Sequence, residues 1–194
     1  MAITEGRHQR TPLFPATPPA PQMTGPATGP ATGTDPARYV WAAARIAVGW
    51  VFLWAFLDKL FGWGFATPAA KAWVNGGSPT TGFLKGTADH TFGGLFGALA
   101  GQGWVDWLFM TGLLGVGAAL VLGVGMRIAA VAGGLLLVLM WAAELPLTTN
   151  PFMDEHIVYA LVLAGLALTR AGETFGLGGW WAATPLVRRF PILR

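Results

Sequence analysis

Apolar positions fall into four long runs separated by polar or Gly/Pro-rich breaks. Asp35 followed by Pro36 is a helix-start signal: an N-cap acceptor, then a residue whose fixed φ suits the first helical position. The run behind it predicts a helix over about 36–61. A Leu- and Gly-rich run predicts a second over about 104–125, and a third covers about 128–145, where Pro146 stops it. The fourth run is short, with 13 uninterrupted apolar or neutral residues from Ile157 to Thr169. At 1.5 Å per residue that spans about 20 Å, less than a hydrocarbon core of about 30 Å. Taking Asn150 as N-cap and Pro151 as first residue lengthens it to about 150–170 and roughly 30 Å. That extension brings Asp154, Glu155 and His156 to the membrane boundary.

The breaks differ in character. Residues 1–36 carry 8 of the 14 prolines and a loose Thr-Gly-Pro-Ala repeat, a composition that predicts disorder. No apolar run in this tail resembles a cleavable signal peptide, so the first membrane helix is expected to direct insertion. The connection 62–103 is long for a bundle. Within it Thr67-Pro68 and Ser78-Pro79 start short helical turns, and 91–99 is apolar and Gly-rich. It reads either as a lid over an outward cavity or as an interfacial loop. The segment 172–194, with Trp180, Trp181, Arg188 and Arg189, reads as an interfacial element.

Composition agrees with a bilayer as the solvent. Of 194 residues, 54% are hydrophobic and only 11% charged, against about 25% charged in a soluble domain. Mean hydropathy is +0.53. The expected fold class is therefore all-α, a polytopic bundle of four transmembrane helices spanning 37–194. The chain contains no Cys, which excludes disulfides, thiolate nucleophiles, Cys-ligated metal clusters and CxxC redox relays.

Charge distribution sets the expected orientation. Arg7, Arg10, Arg38, Arg45, Arg127, Arg170, Arg188, Arg189 and Arg194 fall on one side. Lys59, Lys71 and Lys85 fall on the other. The positive-inside rule then places both termini in the cytoplasm of a multi-pass cell-membrane protein. The net charge of +3 becomes a transmembrane asymmetry, and no nucleic-acid partner is expected.

Ionisable residues of the spans gather at the outer end. Asp58 and Lys59 close the first helix, Asp106 opens the second, Glu144 closes the third, and Asp154, Glu155 and His156 open the fourth. Such groups are costly in a membrane and mark candidate sites. Asp106 suits the positive end of its helix, a structural role. Glu144 faces the negative end of its own and needs a cation or a proton, with Lys59 and His156 as partners. That need is met either by a structural ion pair or by proton transfer. Asp154 and Glu155 read as cap-region acids. Arg45, Gly49, Phe52, Phe56 and Lys59 share one face of the first helix, with its two cations about 21 Å apart. Arg45 either snorkels to the inner interface or meets a buried partner. Trp54 and Trp141 belong to an outer aromatic belt, and Trp141 stands three residues before Glu144. An aromatic, partly polar pocket of this kind suits a quinone head group. Neither haem nor any other metal is expected: His156 is the one histidine expected within a helix, nothing places His90, and no HExxH-type spacing occurs.

The stretch Arg45-Ile-Ala-Val-Gly49-Trp-Val-Phe-Leu53-Trp-Ala-Phe-Leu-Asp-Lys59-Leu60 resembles the first helix of DoxX/DoxD-type membrane proteins. Gly76-Gly-Ser-Pro-Thr-Thr-Gly-Phe-Leu84, Asn150-Pro-Phe-Met-Asp-Glu-His156 and Gly172-Glu-Thr-Phe-Gly-Leu177 are similar to the DoxD-like branch. The resemblance covers most of 37–180. It implies a four-helix membrane subunit of a thiosulfate:quinone oxidoreductase, with Arg45, Lys59 and His156 as carried-over positions. Together with the residue reading, this assigns Lys59, Glu144 and His156 to catalysis and Arg45, Trp54 and Trp141 to quinone. Expected partners are the bilayer, quinone and a second redox subunit or a soluble sulfur-handling protein. The competing expectation is a non-catalytic membrane anchor or assembly partner for such proteins. A small transporter is a third, disfavoured because no charge lies mid-span in the second, third or fourth helix.

Overall fold

The computed structural model describes residues 35–194. The tail expected over 1–36 lies, up to Thr34, outside the described residues, as do Arg7 and Arg10. The described chain is all-helical. Long helices are α1 (Ala37–Phe61), α4 (Gly103–Leu122), α5 (Met126–Ala143) and α6 (Glu155–Leu168). Short ones are α2 (Thr81–Gly86), α3 (Gly93–Leu99), α7 (Gly178–Ala183) and α8 (Pro185–Arg189). By length and composition, α1, α4 and α5 are long and apolar enough to cross a membrane.

Local chemistry explains most boundaries. Asp35 Oδ1 accepts the Ala37 amide at 3.0 Å, and α1 starts at Ala37 with Pro36 in the N-cap position, one residue later than expected. α1 and α4 each end on a left-handed glycine, Gly62 and Gly123, a conformation that costs other residues strain. The fourth helix departs from expectation. It starts at Glu155 with Asp154 as N-cap, not at Pro151 with Asn150. Asn150 instead accepts the Phe152 and Met153 amides at 3.2 and 3.0 Å, a local turn that competes with helix initiation. The 14 residues of α6 rise about 21 Å.

Glycines let the helices approach. A Cβ at Gly49 would lie 2.9 Å from Leu120 Cβ, and one at Gly117 would lie 2.8 Å from the Leu53 backbone nitrogen. These facing pairs run in opposite directions along α1 and α4, so the two helices are antiparallel. A Cβ at Gly133 of α5 would lie 2.8 Å from Leu163 of α6 and 2.9 Å from Val116 of α4. In lipid, close packing of this kind replaces the hydrophobic drive between helices. Val48, Phe52, Met110, Leu113, Val116, Leu120, Leu163 and Leu166 form the shared core.

A second small core caps one end. Leu84 and Phe96 of α2 and α3 pack with Ala143, the last residue of α5. The Thr91 amide donates to the Leu145 carbonyl at 2.7 Å, pinning the connection across that end. At the opposite end Arg127 N and Nη1 donate to the Arg194 and Pro191 carbonyls, both at 3.0 Å. The outer faces of α1, α4, α5 and α6 expose Trp50, Val51, Leu108, Val131, Leu135 and Leu161, an apolar surface suited to acyl chains.

Candidate functional site

The capped end of the bundle carries the site. Glu144 is the residue on which α5 ends, and Asp154 and His156 flank the start of α6. One ligand-type atom from each of these three residues lies within 4.8 Å of the other two. His156 Nδ1 is 2.8 Å from Asp154 Oδ2, and their side chains are only 11% and 7% exposed. Asp154 uses its other oxygen to accept the Ile157 amide at 3.2 Å, as an N-cap does. One carboxylate thus starts the helix and orients the imidazole. Nine residues lie between Glu144 and Asp154, so their meeting depends on how this 145–153 connection folds back. Trp141 directs that return: its indole N–H donates to the Phe152 carbonyl at 2.8 Å.

A cleft of about 530 Å³ opens beside this cluster. Phe83, Thr87, His90, Glu144, Asp154 and Glu155 are among its walls. His90 is here because its Nδ1 meets the Ala143 carbonyl at 3.0 Å. Sequence reasoning left His90 unplaced. No local spacing marks it, since it reaches the site across a separation of 53 residues.

The other candidates have different surroundings. Lys59 makes no ion pair among the described residues; its Nζ lies 5.9 Å from the centre of the Phe109 ring. Asp58 is buried, and its oxygens accept the Phe65 and Ala66 amides at 3.3 and 3.0 Å, fastening the chain just after α1. Asp106 Oδ1 accepts Ser78 Oγ at 2.8 Å, Thr80 Oγ1 at 2.6 Å and Thr80 N at 3.2 Å. This ties the connection to the first turn of α4. Glu155 is exposed at the cleft. Trp54 packs among Trp50, Trp63 and Phe65, with ring centres 5.8, 5.4 and 5.0 Å away.

Arg45 lies at the other end of α1, fully buried. Its Nη1 donates to the carbonyls of Leu120 and Val121, and its Nη2 to those of Thr174 and Phe175. These carbonyls belong to the last turn of α4, where Leu120 O also accepts the Gly123 amide at 3.2 Å, and to the turn after Glu173. A cation suits the negative end of a helix. The glycines around it leave no room for side chains: Cβ atoms at Gly123 and Gly176 would lie 2.9 and 3.1 Å from the guanidinium nitrogens. The partners of the buried Arg45 are main-chain oxygens rather than a carboxylate, and three of these four contacts are only partly buried. Of the expected set, the fold brings together Glu144, Asp154, Glu155 and His156, and it separates Arg45 from them by most of the length of α1.

Comparison with protein-family models, with curated proteins and with solved structures returned no match.

Proposed function

We propose that the protein is a four-span membrane subunit of a quinone-linked oxidoreductase, with α6 and the turns at its two ends completing the fourth crossing and both termini in the cytoplasm. The observation that carries the reading is the Glu144–Asp154–His156 cluster beside a cleft, at a bundle end covered by α2 and α3. Reducing a quinone takes two electrons and two protons. A carboxylate and an imidazole at the membrane boundary are the groups that pass protons to a head-group oxygen. The resemblance to DoxD-like proteins supplies the donor: two thiosulfates each lose one electron and join through a sulfur–sulfur bond as tetrathionate. The chain has no cysteine, and no set of its residues stores two electrons, so a cofactor, a second subunit or direct substrate–quinone contact completes the path. Lys59, on the neighbouring helix end, supplies a cation for the anionic donor. Arg45 takes the role of positioning residue, holding the far end of the bundle.

The test follows quinone absorbance on mixing purified full-length protein in detergent with thiosulfate and a soluble quinone, with and without membrane extract. Reduction is expected, and Glu144→Gln and His156→Ala are each expected to slow it at least tenfold. No reduction under either condition refutes the reading.

A further inference from the structure

We propose that Glu144, Asp154 and His156 form a binding site for one divalent transition-metal ion, with Zn²⁺ as the representative. The spacing of these residues along the chain gives no hint of it, and no metal is expected from sequence. The fold brings one imidazole and two carboxylates within 4.8 Å. Ligand bonds of about 2.1 Å place donors on one ion at most about 4.2 Å apart, so a small rotation of the Glu144 side chain closes the site. One nitrogen and two oxygen donors suit Zn²⁺ and its first-row neighbours better than Mg²⁺, which prefers all-oxygen shells. Three protein ligands leave a fourth position free, and the adjoining cleft provides room for it.

Electrostatics point the same way. Two carboxylates at this separation repel; the Asp154 side chain is only 7% exposed, and Glu144 is half-buried at the cleft. Among the described residues neither forms an ion pair with Lys or Arg; the only basic partner is His156. Glu144 also meets the negative end of α5. The α6 N-terminus offsets part of this charge through the Asp154 cap. A bound dication neutralises the remainder. Protons and metal compete for the same three side chains, so Zn²⁺ inhibits quinone reduction. That consequence rests on the proposed function, whereas the binding does not.

The experiment uses tag-free full-length protein in detergent, stripped with a chelator and titrated with ZnCl₂ by calorimetry and by metal analysis after desalting. One ion per chain is expected, undisplaced by excess Mg²⁺. Glu144→Gln and His156→Gln should each weaken binding at least tenfold, and Asp89→Asn, on the exposed surface, should leave it unchanged. Substoichiometric binding, or wild-type affinity in both site variants, overturns the proposal. Wild-type protein provides an arm that needs no variant to fold. Zn²⁺ should raise its unfolding temperature and slow amide exchange at Asp154–Ile157, and absence of both effects also overturns it. Binding without quinone activity leaves this site standing and removes the proposed reaction; activity without binding does the reverse.

Discussion

Asp154 both starts α6 and holds His156: one carboxylate oxygen accepts the Ile157 amide and the other lies 2.8 Å from His156 Nδ1. Two substitutions separate these duties. Asn still caps a helix but carries no charge, and Ala does neither. Asp154→Ala is expected to lose about 1 kcal/mol more than Asp154→Asn, read as the difference in thermal unfolding in detergent. Equal losses would show that the cap contributes nothing here.

Arg45 gathers four main-chain carbonyls from two segments. Lysine is a point charge with three donors and cannot reproduce the planar fork. Arg45→Lys should cost at least about 2 kcal/mol, since hydrogen bonds to charged groups contribute about 1.5–3 kcal/mol each. It should also speed amide exchange around Leu122 and Leu177, whose carbonyl and amide pair at 2.8 Å. Unchanged exchange there would contradict a clamping role.

Gly117 and Gly115 lie two residues apart on α4 and should respond in opposite ways. A methyl at Gly117 would lie 2.8 Å from the backbone of Leu53, whereas at Gly115 it meets nothing within 4 Å. Gly117→Ala should destabilise by about 1–3 kcal/mol through overpacking. Gly115→Ala should be neutral or stabilising by up to about 1 kcal/mol from helix propensity. Chemical unfolding in mixed micelles reads both.

Asp106 holds Ser78 and Thr80 against α4 through one oxygen. Asp106→Ala should free the connection without melting α4. Hydrogen exchange at Thr80 and Thr81 should rise while exchange at Met110 and Leu113 stays slow. Slow exchange throughout would mean that the small core under α2 holds the connection unaided.

Much of the architecture is legible in the chain because helix formation here is local. Apolar runs, with the Asp35-Pro36 signal before the first, specify α1, α4 and α5 without reference to the rest of the fold, although α4 stops at Leu122 before the left-handed Gly123 rather than at about 125, and α5 covers Met126–Ala143 rather than 128–145. The start of α6 was not legible in this way. Asn150-Pro151 and Asp154-Glu155 are both acceptable beginnings, and only the structure shows Asn150 occupied by its own turn. The shared face of Arg45, Gly49 and Phe52 follows from helical periodicity, and all three are buried together. What Arg45 binds was beyond periodicity, since backbone carbonyls leave no trace in residue identity.

Sequence by itself determined a helical membrane-type chain with its polar groups at the helix ends, because hydropathy and capping act over a few residues. Tertiary structure alone decided which of those groups meet. Glu144, Asp154 and His156 converge, with His90 beside them at the same cleft, because the 145–153 connection folds back under Trp141 and the α2–α3 cap closes over α5. Lys59, one of the two partners the sequence offers Glu144, forms no ion pair among the described residues and lies over Phe109. The physical reason is range: helix content rests on nearest-neighbour chemistry, whereas a site built where the end of α5 meets the start of α6, with His90 brought in across 53 residues, rests on how segments pack.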